Sequence, residues 1–92
     1  MSEDTIKIQI LFFASAREAA GNITSTELDL PNGANTTLLR RKLAEIYPRL
    51  ADVVLDETNL TLALNEEYVP SGEILPLKSG DTIALIPPIS GG

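Results

Sequence analysis

The chain predicts an α+β fold: a mixed four- to five-stranded sheet covered by one long helix, with a short helix beside it. Three observations predict it. Apolar residues alternate with a period of two at Ile6, Ile8, Ile10 and Phe12, and again at Leu60, Leu62 and Leu64. Leu39, Leu43, Ile46, Tyr47 and Leu50 form one apolar stripe at helical spacing between them. Near the end, Thr82 to Ile86 is almost wholly apolar, as expected of a strand in the middle of a sheet. A chain of 92 residues makes a single domain with one core.

The first strand reads as Thr5 to Phe13, with Lys7 and Gln9 starting its second face and Leu11 and Phe13 making that face apolar further on. A short helix of one to two turns follows in A-S-A-R-E-A-A-G. Ser15 and Glu18 have the spacing of a capping box, and Gly21 suits the left-handed position that ends a helix. Thr24 to Leu30 alternates as a second strand, with Thr26, Leu28 and Leu30 on one side, and Pro31-Asn32-Gly33 turns the chain. Asn35 or Thr36 caps the long helix, and Pro48 ends it at about Tyr47. Its basic residues Arg40, Arg41 and Lys42 read as a solvated outer face.

Ala51 to Asn59 reads as a loop with one helical turn. After the third strand, Asn65-Glu66-Glu67 turns into a short piece, Tyr68-Val69, which Pro70 confines to a sheet edge. Lys78-Ser79-Gly80-Asp81 is another turn before the last strand. If that strand lies beside the first and parallel to it, the architecture is a β-grasp, the ubiquitin-like arrangement. A ferredoxin-like sandwich would need a second long helix near 66–78, where Pro70, Gly72 and Pro76 oppose one.

Composition narrows the chemistry. With no cysteine, disulfides and thiolate sites are excluded, and with no histidine the commonest proton carrier and metal ligand is missing. Seven basic residues against thirteen acidic give a net charge of −6, which disfavours nucleic acid and anionic membranes and favours a basic protein partner. The acidic M-S-E-D-T start has no apolar signal core, so the expected location is cytoplasmic. Asp52, Asp56, Glu57, Glu66 and Glu67 lack the spacing of a calcium loop and read as surface solubility; no metal site is expected. Tyr47 and Tyr68 read as core or edge fillers.

What remains is the ending, I-P-P-I-S-G-G. Residues 1–86 read as the folded domain and 87–92 as an extended tail. Pro87 and Pro88 favour an extended approach, and Gly91 and Gly92 offer no side chain to obstruct a narrow pocket. The six residues after Ile86 could reach about 20 Å. A terminal carboxylate at Gly92 becomes reactive once an enzyme converts it to an acyl-adenylate, so the tail reads as a handle for chemistry done elsewhere.

F-F-A-S-A-R-E-A-A-G, A-L-N-E-E-Y-V and G-D-T-I-A-L-I-P-P-I-S-G-G resemble the small, sulfur-carrier subunit of molybdopterin synthase, over essentially the whole chain. The resemblance implies a defined cycle. An adenylating and sulfurating enzyme consumes ATP to activate Gly92, and sulfur from a persulfide donor replaces AMP to give a thiocarboxylate. The tail residues Pro87, Pro88, Ile89, Ser90 and Gly91 then enter the large synthase subunit, which supplies the catalytic side chains. Sulfur passes to cyclic pyranopterin monophosphate in molybdenum cofactor biosynthesis. The resemblance further implies a heterotetramer, no stably bound cofactor, and a large-subunit interface at Phe13 and Arg17. The competing readings are a thiamine-type sulfur carrier, a ubiquitin-like modifier conjugated through Gly92, and an adaptor whose diglycine is incidental.

Overall fold

The computed structural model describes residues 5–55, 60–70 and 72–87. Strands β1 (Thr5–Phe12), β2 (Ser25–Pro31), β3 (Thr61–Leu64), β4 (Glu67–Tyr68) and β5 (Thr82–Ile86) form one sheet in the order β2-β1-β5-β3-β4. β5 pairs parallel with β1, and the other pairings are antiparallel. The last strand therefore sits in the centre beside the first, as a β-grasp requires.

The inner face is the core. Ile8, Ile10, Leu62, Ile83 and Leu85 are fully buried there, together with Leu39 and Leu43 of helix α2 (Thr36–Ile46), which packs against it. Each such side chain contributes about 1.5–3 kcal/mol through removal from water. Asn35 caps α2 by accepting the Leu38 N–H on its Oδ1 at 2.9 Å. Thr36 is buried, and its backbone N–H and hydroxyl bond Leu75 in both directions, at 3.0 and 3.1 Å. With the Asn35–Pro76 bridge, these bonds hold the irregular run before β5 against the helix start. That run is held without any helix of its own.

Two helical details depart from expectation. α2 ends at Ile46, and Pro48 opens a 3₁₀ turn, Pro48–Leu50, so Leu50 is buried from that turn rather than from the helix. Tyr47 leaves the helical path and packs edge-on against Phe12, with ring centroids 5.5 Å apart, while Ile46 stays 43% exposed. The capping box also does not form. Helix α1 (Ala14–Ala19) starts directly after β1, with extended Phe13 as its N-cap and no side-chain cap bond. Ala14, at φ 51°, bends the chain from strand into helix, which leaves Ser15 already inside the first turn. The other end is as expected. Gly21 at φ 92° lets its N–H reach Glu18 O, while the Asn22 N–H reaches Arg17 O at 2.8 Å.

The basic face of α2 is not wholly solvated. Arg40 is half-buried, and its guanidinium donates to Val54 O at 2.8 Å and to Leu60 O at 3.2 Å. Val54 ends the short helix α3 (Ala51–Val54), whose last carbonyls lack helical partners. Arg40 therefore closes that helix and ties it to the chain leading into β3.

Candidate functional site

Among the described residues no second layer covers the outer face of the sheet, and sequence patterning divides that face in two. At the start of β1 and along β2 it is polar. Lys7 lies opposite Asp29 in the strand register and bonds it at 3.2 Å, with Glu27 at 3.8 Å. The bond to Asp29 and the charges of Asp29 and Glu27 hold the Lys7 ammonium above its ordinary pKa. At the far ends of β1 and β5 the outer face is apolar. Leu11, Ala63, Ala84 and Ile86 floor a groove of about 520 Å³, which Phe13 and Tyr68 flank and Asn65, Glu66 and Thr82 complete.

Phe13 is 47% and Tyr68 72% exposed, although both are large and apolar enough to favour burial. Because β1 and β5 run parallel, this apolar half lies at the end of the sheet from which the chain continues past Ile86. A smaller cleft lined by Thr61, Tyr68, Ile86 and Pro87 adjoins the groove through the two residues they share. Pro87 is buried, so the folded body extends one residue beyond Ile86. Pro88, Ile89, Ser90, Gly91 and Gly92 lie outside the described residues.

Of the two expected interface residues, Phe13 lines the groove. Arg17 is exposed on α1 and does not line it. Tyr68, read from the sequence as a core or edge filler, stands on the edge strand as part of this face, and Ala84 and Ile86 were not singled out for it. For Ala84 and Ile86 the signal was present in the outward register of Thr82–Ile86, which is apolar beyond Thr82. Among the described residues no group of three His, Cys, Asp or Glu could hold a metal ion, and no helix is long and apolar enough to cross a membrane.

Asp81 also escaped the sequence reading. It is the one charged side chain buried among the described residues, at 3% exposure. Its Oδ1 accepts from Asn65 Nδ2 at 3.0 Å and pairs with Lys78 Nζ at 3.3 Å, while its Oδ2 accepts the Lys78 N–H at 2.9 Å. Burial pushes this carboxyl's pKa up, but the bonds from Asn65 and Lys78 outweigh it and hold the pKa below the ordinary value. A carboxyl more acidic when folded stabilises the fold above the unfolded pKa of about 4, and that contribution is lost as pH falls through the folded value. Thermal melting followed downward from neutral pH should therefore show a steeper acid decline in the native protein than in Asp81→Asn. Parallel declines would mean that other carboxyls set the acid limit.

From Ile10 of β1 onward the sequence matches one family. The ThiS family profile covers residues 10–92. The chain belongs to the ThiS family. The molybdopterin synthase sulfur carrier subunit of Chlamydomonas reinhardtii is 38% identical over 87 residues, covering 95% of this chain and 100% of that protein. The corresponding subunit of Dictyostelium discoideum is 40% identical, over 94% of this chain and 96% of its own length. Among solved structures, small archaeal modifier protein 1 from Methanosarcina acetivorans superimposes with a TM-score of 0.75 at 27% identity, covering 96% of this chain and 98% of that one. In this ThiS-family chain the matched region takes in both the apolar groove and the diglycine.

Proposed function

We propose that this chain is the sulfur-carrying small subunit of molybdopterin synthase. The observation that carries the reading is the placement of the apolar half-face at the end of β5, directly where the chain leaves for Gly92. The full-length likeness to two sulfur carrier subunits supports it. On this reading the groove docks a large subunit, and residues 88–92, which span at most about 17 Å when extended, carry the reacting group into that partner's active site.

What the chain lacks supports the chemistry of that reading. With neither cysteine nor histidine, it cannot hold sulfur on a side-chain thiol or supply an imidazole base. The carboxylate of Gly92 is the group left to react. One of its oxygens attacks the α-phosphorus of ATP on an adenylating enzyme and pyrophosphate departs. A persulfide sulfur then attacks the acyl carbon and expels AMP. Reductive cleavage of the sulfur–sulfur bond by a donor thiol leaves the thiocarboxylate, which delivers sulfur to cyclic pyranopterin monophosphate. ATP is thus consumed on the adenylating partner, this chain holds no cofactor stably, and the large subunit supplies the catalytic side chains in a cytoplasmic heterotetramer.

The likeness to an archaeal modifier protein favours one second reading, conjugation of Gly92 to a lysine. One experiment separates the two. The protein is incubated with its adenylating enzyme, ATP and a persulfide donor, and the C-terminal peptide is then weighed. The expected result is exchange of one oxygen for sulfur at Gly92, with that sulfur later recovered in the pterin product once the large subunit is added. An isopeptide to lysine as the sole product would replace this reading with the modifier, and a change at an internal residue would defeat both.

A further inference from the structure

The buried carboxylate of Asp81 plays no part in the chemistry above, yet it sits beneath one wall of the docking groove. β3 and β4 join through the two-residue turn Asn65–Glu66, since Leu64 pairs with Glu67 and Ala63 with Tyr68. Both turn residues have positive φ, 51° and 75°. That geometry suits a tight hairpin, but at Glu66 it is one that residues other than Gly, Asn and Asp seldom adopt. Something outside the hairpin must hold it.

The Asn65 side chain does this in two directions. Its Oδ1 accepts the Thr82 N–H at 3.0 Å, and its Nδ2 donates to Asp81 Oδ1 at 3.0 Å. The Asn65 N–H also donates to Thr82 O at 2.8 Å. Asp81 is fixed in turn by the Lys78 N–H on its other oxygen, and its own carbonyl accepts the Gln9 N–H at 3.0 Å. The turn is thereby tied to the root of β5 and, through Gln9, to β1. Two residues beyond Glu66 stands Tyr68, which lines both the groove and the adjoining cleft.

We propose that Asp81 is a positioning residue for partner docking: through Asn65 it holds the β3–β4 hairpin in the conformation that places Tyr68 at the groove. This rests on the groove being the large-subunit docking face. The site demands an acid and not its amide. Both oxygens of Asp81 receive N–H donors, whereas an asparagine has one oxygen and must turn its own N–H₂ toward Asn65 or toward the Lys78 N–H.

The test compares native protein, Asp81→Asn, and Leu43→Val in the distant core, all at a temperature where each is fully folded. Affinity for the large synthase subunit, turnover at saturating thiocarboxylated carrier, and hydrogen exchange at the Val69 N–H are measured. That N–H bonds Leu62 O across the hairpin at 2.8 Å. Losing a hydrogen bond to a charged group should weaken docking about tenfold in Asp81→Asn and speed exchange at Val69, while saturated turnover stays native. Leu43→Val should lose stability and keep native affinity. Native affinity in folded Asp81→Asn, or equal weakening in Leu43→Val, overturns the proposal. Should Asp81→Asn fail to fold, Asn65→Gly serves instead: it tolerates the positive φ and deletes the amide, so it should stay folded and dock weakly, and native docking by it overturns the proposal. A native protein that does not bind the large subunit overturns the functional reading itself, and this inference falls with it.

Discussion

Adding a single alanine after Gly92 should abolish sulfur transfer and leave thermal melting where it was. The extended chain still presents the whole docking face, but its carboxylate is now on the wrong atom and one residue, about 3.5 Å, too far along. The former Gly92 carbonyl has become a peptide and cannot be adenylated. Gly91→Val tests the same idea more gently. A branched side chain adds bulk and narrows the backbone choices of a tail that, on the proposed reading, threads a narrow pocket. Misplacing a reacting group by about 1 Å can cost a hundredfold, and that is the loss expected here. Neither change touches a packed element of the described body, so stability should shift by no more than about 0.5 kcal/mol. Sulfur transfer should fall in the order native, Gly91→Val, extended, with coincident melts. Full activity in an extended protein whose mass shows the extra residue still present would mean that the terminus does not react.

Phe13→Ala and Tyr68→Ala should each weaken binding to the large subunit by about thirtyfold, the range of an aromatic anchor at the centre of an interface. Neither side chain belongs to the buried core, so truncation removes little of it and the fold should hold. Apolar contacts are not screened, so these losses should persist at high salt. Arg17→Ala, at an exposed charge outside the groove, should cost less and lose its effect as salt rises. Calorimetric titration at two ionic strengths would separate the classes. Unchanged affinity in both aromatic variants would move the docking face elsewhere on the molecule.

Most of the fold was legible in local pattern. Ile6, Ile8, Ile10 and Phe12 repeat with the pleat, and Leu39 and Leu43 with the helix; in the structure all of them point into one core. Turn chemistry was legible too, because Gly21 and Gly33 supply positive φ that few other residues adopt. Errors came where two local rules competed. Ser15 has capping chemistry, but β1 runs up to Phe12 and the helix begins before Ser15 can serve as its cap. Arg40 has the right spacing for a solvent face, but a long flexible side chain can reach carbonyls that the linear sequence leaves 14 and 20 residues away.

By itself the sequence offered the candidate reacting group and the chemistry around it: two glycines, two prolines, and no thiol or imidazole anywhere in the chain. Such facts are compositional and need no contacts. It also pointed to Thr82–Ile86 as a central strand, since so apolar a run is favoured inside a sheet. Only the tertiary structure decided that the outer register of that strand stays open and joins Leu11, Phe13 and Tyr68 in one groove. It alone brought Asn65 to Asp81, 16 residues apart. Both results depend on which strands pair and in what register, and pairing is a property of long-range contacts. A period-two pattern can say that a strand has two faces, but it takes the packed sheet to show which face is left uncovered, and beside which residues.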